Sequence, residues 1–180
     1  EGLLERPILK EELERKHLSL LSSYNADLGQ VQMLLSVNRE TPPISHNLPP
    51  IAGALNWCRG LLERIQQPMG KLRELDDTIL DREEAKEVVK TFTTLVASLG
   101  EFEHAKLHEW GSNIEQSSGS KLRLPLLIRD PSTLLLRVNF DPALVRLLRE
   151  VKYFMLLGLD VPPSALSIYR KAETFRKHTG

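Results

Sequence analysis

The chain has 180 residues, enough for one domain or a contiguous piece of a larger one. Its 24 Lys+Arg balance 24 Asp+Glu, which argues against nucleic acid or an acidic membrane as principal partner, since either favours a basic excess. A single cysteine, Cys58, excludes an internal disulfide framework, and no apolar run approaches the roughly 20 residues that cross a bilayer. Zero net charge is poor for solubility and suits a segment packed within an assembly. There is no signal peptide and no initiating methionine, so the expectation is an excised piece of a longer cytosolic chain.

The first predicted helix runs from Pro7 to Val37. Leu9, Leu13, Leu20, Tyr24, Leu28, Val31 and Leu35 keep helical spacing among charged residues. Pro7 suits the first turn, and Glu11, Glu12 and Glu14 sit near the positive end of the dipole. Pro42, Pro43, Pro49 and Pro50 then make 39–50 a connector that cannot be helical. The second helix follows Pro50 with Ile51, Leu55, Cys58, Leu62, Ile65, Met69 and Leu72 as its stripe. Pro68 is expected to kink it or split it in two.

The third helix is the most regular. Ala85, Val88, Phe92, Leu95, Leu99 and Phe102 follow alternating three- and four-residue steps, the seam of a helical bundle or coiled coil. The seam weakens at Lys106 and Glu109 beside Trp110, and 116–120 (Gln-Ser-Ser-Gly-Ser) reads as a loop. Two β-prone runs, 121–128 and 134–140, flank an Asp130-Pro131 turn and predict a hairpin, with Pro125 favouring an edge. Asp141 is a good N-cap and Pro142 falls at the first position of the next helix, which ends near Gly158. Val161-Pro-Pro163 and Ser164 start a last, basic helix with Leu166, Ile168, Tyr169 and Phe175.

No constellation of catalytic residues emerges. His104 and His108 have a spacing that zinc sites use, but Ala105 stands where a metalloprotease helix needs Glu, and both point away from the Phe102 stripe. Asp76, Asp77, Asp81, Glu83 and Glu84 lack the glycine and terminal Glu of a calcium loop and read as a solvated helix start. Gly70-Lys71 has no upstream glycine at the P-loop distance. Ile65-Gln66 loosely evokes a calmodulin-type site but lacks the following Arg-Gly. Cys58, among apolar residues, reads as a small buried hydrophobe.

Four segments carry a resemblance to one family. Asn47 to Ile65 (Asn-Leu-Pro-Pro-Ile-Ala-Gly-Ala-Leu-Asn-Trp-Cys-Arg-Gly-Leu-Leu-Glu-Arg-Ile) with Pro68-Met69, Leu124-Pro-Leu-Leu-Ile-Arg-Asp130, Val138-Asn-Phe-Asp-Pro142 through Tyr153, and Leu159 to Arg176 resemble the N-terminal tail of dynein heavy chains. The likeness spans 47–180 in one order, while the first 40 residues carry only a helical pattern. The wording around Trp57 resembles axonemal heavy chains, an outer-arm chain first, more than cytoplasmic ones.

The resemblance implies a mainly α fold: an elongated helical bundle with one two-stranded antiparallel β-hairpin. From the residues themselves the segments are a three-helix bundle over 1–120, the hairpin over 121–141 and two helices over 142–180 leading into the next bundle, and the hairpin before 141–142 with the Gly158 break after it predicts a hinge at that junction. The resemblance also implies a scaffold in the cytoskeleton of a ciliary or flagellar axoneme, binding intermediate chains, light or light-intermediate chains and other heavy chains. It implies no nucleic acid, no membrane insertion and no cofactor in this chain, because ATP and magnesium belong to a motor ring whose motifs do not occur here. Trp57, Arg64, Arg146, Arg149 and Tyr153 are the candidate partner contacts, since Trp, Tyr and Arg are enriched among interface anchors. Burial of Trp57 and Tyr153, and a solvated ridge of Arg146, Arg149 and Lys152 with snorkelling stems, are the plain structural alternatives. A self-associating helical scaffold unrelated to motors remains the competing function.

Overall fold

The computed structural model describes residues 7–75, 80, 82–121, 127–138 and 142–179. Among them the chain runs α1 (Pro7–Asn38), α2 (Pro50–Leu75), α3 (Glu83–Lys121), β1 (Leu127–Arg129), β2 (Leu136–Val138), α4 (Pro142–Leu156) and α5 (Pro163–Thr179). The fold is mainly α, as expected. None of these helices is long and apolar enough to cross a membrane. Asp141, expected to cap α4, lies outside the described residues.

The chain divides into two compact units that are discontinuous in sequence. Unit 1 holds Glu1–Pro42 and Trp57–Glu103, and unit 2 holds Pro43–Asn56 and His104–Gly180. Helices α2 and α3 therefore contribute to both.

In unit 1, Leu21, Tyr24, Leu28, Val31 and Leu35 of α1 are buried with Cys58, Ile65, Met69 and Leu72 of α2 and Ala85, Val88, Leu95, Leu99 and Phe102 of α3. The inward face of α1 passes through Leu21, not Leu20, which is 48% exposed; Leu9 and Leu13 are exposed as well. Both leucines are one turn from Tyr24, so spacing alone does not say which one faces the neighbouring helices. Tyr24 bonds Ile65 and Asp27 meets Arg64 between α1 and α2, while Cys58 bonds Leu99 and Arg59 meets Glu103 between α2 and α3, so each helix runs antiparallel to the one before it. Arg59 locks α2 to α3 through Glu103, with Nη2 2.9 Å from Oε1.

Pro68 does not split α2, which continues to Leu75. Proline has no N–H to give the Arg64 carbonyl, and its ring crowds that turn. The adjacent Ile65 carbonyl accepts a hydrogen bond from the buried Tyr24 hydroxyl at 2.7 Å, so a side chain from α1 solvates the proline-disturbed turn. Burial of Ile65, Met69 and Leu72 around it supplies the remaining reason to stay helical.

Residues 116–120, expected as a loop, belong to α3. Serine and glycine cost a helix up to about 1 kcal/mol each, but once the helix is nucleated each added residue gains a hydrogen bond. The α3 seam also resumes where it was expected to fade. From Phe102 it advances in four-residue steps through half-buried Lys106 to buried Trp110 and Ile114.

In unit 2, β1 and β2 pair antiparallel, with Leu127 opposite Val138, Ile128 opposite Arg137 and Arg129 opposite Leu136. Asp130 organises the turn between them. Its Oδ1 accepts from the Ser132 N–H at 2.9 Å, the Ser132 hydroxyl at 2.6 Å and the Thr133 N–H at 3.2 Å. The unit's core joins Ala52 and Leu55 of α2, Trp110 and Ile114 of α3, Val151 and Phe154 of α4, and Ala165 of α5. Trp110 meets Phe154 edge to face, with ring centroids 4.5 Å apart.

Three measurements test unit 1. Tyr24→Phe removes the hydroxyl that serves the Pro68 turn and should lower stability by about 1 kcal/mol in urea denaturation. Burial holds Tyr24 and Cys58 protonated, each pushed up to about 12 from ordinary values of 10.0 and 9.0. The unfolded chain ionises both earlier, so stability should be complete below pH 9 and fall as pH rises towards about 12. Urea midpoints against pH check that sign, and iodoacetamide at about pH 8 should label Cys58 no faster than the chain unfolds.

Candidate interaction site

Helix α2 opens on Pro49 and Pro50, with no Ser, Thr, Asp or Asn to cap it. Its first intrahelical bond runs from the Gly53 N–H to the Pro49 carbonyl at 2.7 Å, which makes Pro49 the N-cap. A helix start leaves four N–H groups without intrahelical partners. Here the two prolines abolish two of them, and Ile51 and Ala52 carry the other two.

Glu150 of α4 takes both. Its Oε1 accepts from the Ile51 N–H at 2.9 Å and its Oε2 from the Ala52 N–H at 2.8 Å. The side chain is buried, and it is the buried charged residue among those described. Burial raises the Glu150 carboxyl above its ordinary value, while the two N–H donors and the Arg149 guanidinium pull it back. The positive end of the α2 dipole favours the anion at this position. Tertiary structure thus supplies the cap that the local sequence lacks.

The neighbours of Glu150 on α4 hold the approach to the same helix start. Arg149 donates from Nη2 to the Asn47 carbonyl at 3.4 Å, and the Tyr153 hydroxyl donates to the same oxygen at 3.3 Å. Gly53 lets the connector press close, because a Cβ there would collide with Ile44 Cγ2 and crowd Leu48 Cβ at 3.3 Å. The far end of α4 is closed as expected. Gly158, at φ +65°, donates to the Met155 carbonyl at 3.2 Å, and Leu159 donates to the Phe154 carbonyl at 2.9 Å.

The candidate contacts fall into separate places. Trp57 and Arg64 belong to unit 1, while Arg146, Arg149 and Tyr153 share α4 in unit 2. Trp57 is half-buried and meets Phe102 edge to face at 5.9 Å. Arg64 is exposed and donates to Gln30 Oε1 at 2.8 Å and Asp27 Oδ1 at 3.3 Å. Tyr153 is half-buried, whereas Arg146, Arg149 and Lys152 are exposed along α4.

The other groups tested for chemistry are accounted for in place. His104 and His108 stack at 6.4 Å between ring centroids, and both are exposed. The Cys58 thiol is buried and donates to the Leu99 carbonyl at 3.4 Å. Glu83 and Glu84 are exposed in the first turn of α3, while Asp76, Asp77 and Asp81 lie outside the described residues. Among the described residues, no three His, Cys, Asp or Glu side chains group as metal ligands.

A family model described as "Dynein heavy chain, N-terminal region 1" matches residues 1–180. The chain belongs to that family. It is 36% identical to the flagellar outer arm dynein beta chain of Chlamydomonas reinhardtii, an alignment covering 98% of this chain and 5% of that one. It is 35% identical to the ciliary dynein beta chain of Tripneustes gratilla, over 98% of this chain and 4% of that one. It is 33% identical to dynein axonemal heavy chain 17 of Mus musculus, over 99% and 4% respectively. The chain thus spans about one twentieth of the length of these curated relatives. The axonemal likeness expected from 47–180 extends over the first 40 residues as well.

Within this dynein region, the residue that sequence reading passed over is Glu150. Two signals pointed to it. It interrupts the apolar stripe of Leu147, Val151 and Phe154, and α2 opens on two prolines without a capping side chain. Glu150→Gln keeps one acceptor but turns an NH2 group towards a buried N–H, so it should cost about 1–3 kcal/mol. Glu150→Ala should cost more. Urea denaturation of the two variants checks both the magnitude and the order.

Proposed function

We propose that this chain is a structural tail segment of an axonemal dynein heavy chain, an outer-arm chain first, working in the cytoskeleton of a cilium or flagellum. It scaffolds heavy-chain assembly and binds intermediate chains and light or light-intermediate chains. In this reading the helices belong to an elongated bundle, and the paired strands to a hairpin over 121–141 that leads into the next bundle. ATP and magnesium chemistry resides in a motor ring elsewhere in the heavy chain, with no cofactor in this segment. Family membership supports the tail assignment and argues against a self-associating scaffold unrelated to motors.

The observation that carries the docking role is on α4. Glu150, facing inward, anchors the helix to α2, while Arg146, Arg149 and Lys152 face outward as an exposed basic ridge. A helix held from behind presents its charges in fixed positions, which lowers the cost of ordering them against an acidic partner. Arg146→Glu with Lys152→Glu should reduce intermediate-chain pull-down at least tenfold while the circular dichroism spectrum stays unchanged. Undiminished pull-down by the folded double variant would remove the ridge from the interface.

A further inference from the structure

Unit 1 has an open side. A groove of ≈ 680 Å³ is lined by the last turns of α1, by Arg39 just past it, and by α3. Buried Leu35 and Leu95 form its apolar floor. Along α3 it extends from Lys86 to Ser98, about 18 Å at 1.5 Å per residue, which matches roughly three turns of a further helix.

The rim selects the chemistry of that helix. Arg39, Lys86 and Lys90 line the groove against a single acid, Glu87. Lys86 is bonded to Glu83, while Arg39 and Lys90 make no ion pair among the described residues. The Ser36 hydroxyl donates to the Met33 carbonyl and the Thr94 hydroxyl to the Lys90 carbonyl. Both hydroxyls therefore offer lone pairs to the groove, and Arg39 and Lys90 are the charged donors that a ligand carboxylate meets there. The whole chain is neutral, so this excess is local and does not make the protein a general polycation.

We propose that the groove between α1 and α3 seats one acidic amphipathic helix of a partner chain, its apolar stripe on Leu35 and Leu95 and its carboxylates towards Arg39 and Lys90. The proposal deepens the scaffold reading and rests on it, adding a second docking face with a stated partner chemistry. An 18-residue synthetic Leu/Glu amphipathic helix is the probe, with a Leu/Lys counterpart, titrated into the full chain by fluorescence anisotropy and amide chemical-shift mapping. The acidic peptide should shift residues 32–39 and 86–98, and binding should weaken as salt is raised. Arg39→Glu with Lys90→Glu should weaken it at least tenfold, Glu87→Lys should tighten it, and the Lys peptide should not bind. Absence of acidic-peptide binding, shifts mapped elsewhere, insensitivity to both variants, or equal binding of the Lys peptide would each overturn the proposal. Because the assay contains no intermediate chain, its failure leaves docking on α4 standing, and the pull-down can fail without touching the groove.

Discussion

The bidentate grip of Glu150 on the start of α2 is the constraint on which unit 2 is built. The local sequence offers no capping side chain for two backbone N–H groups, and one carboxylate from about a hundred residues away satisfies both. Hydrogen bonds to an ionised acceptor are worth about 1.5–3 kcal/mol, roughly twice a neutral one. Using both oxygens also fixes geometry: α4 can neither slide nor roll without releasing a donor. That registration brings Val151 and Phe154 against Trp110 and aims Arg149 and Tyr153 at the Asn47 carbonyl.

The segment opening on Pro49-Pro50 and the segment around Arg149-Glu150 both carry the family resemblance, and in the folded chain they form one device. Read separately, the first is a helix start and the second an amphipathic helix. Joined, they explain each other. The prolines reduce the number of donors to the two that a carboxylate can accept, and Gly53 makes room for the connector to close over them. A similar logic operates at Pro68 in unit 1, where the Tyr24 hydroxyl from another helix serves a carbonyl in the disturbed turn. In both units a side chain from another helix bonds the α2 backbone beside a proline. This gives the bundles specific registers that greasy stripes alone would leave degenerate.

Such rigid, multiply anchored helices suit a scaffold. The charged faces they leave outside, the α4 ridge in unit 2 and the α1/α3 groove in unit 1, are held in fixed arrays while the net charge of the whole chain stays at zero. The titratable groups with shifted protonation, Tyr24, Cys58 and Glu150, are tied up in packing and capping. Their shifts trace to desolvation by burial, and each group bonds to a backbone atom. For these three groups the pattern fits a packing and capping role.

Helix identity was largely legible in the residues, because periodic apolar side chains, prolines at first positions and Gly158 past the end of α4 act locally. The errors arose wherever a non-local term outweighed local preference. The 116–120 stretch is helical despite its serines and glycine, and Leu21 rather than Leu20 turns inward. Of the candidate contacts, the residue types were readable, but their separation into two units, and the internal bonds of Arg149 and Tyr153, were not. By itself the sequence determined the helical class, the breaks and the absence of a local cap on α2. Only tertiary structure decided that Glu150 supplies the cap, because a hydrogen bond across some hundred residues depends on how helices pack, and periodicity records which face is apolar but not what that face will meet.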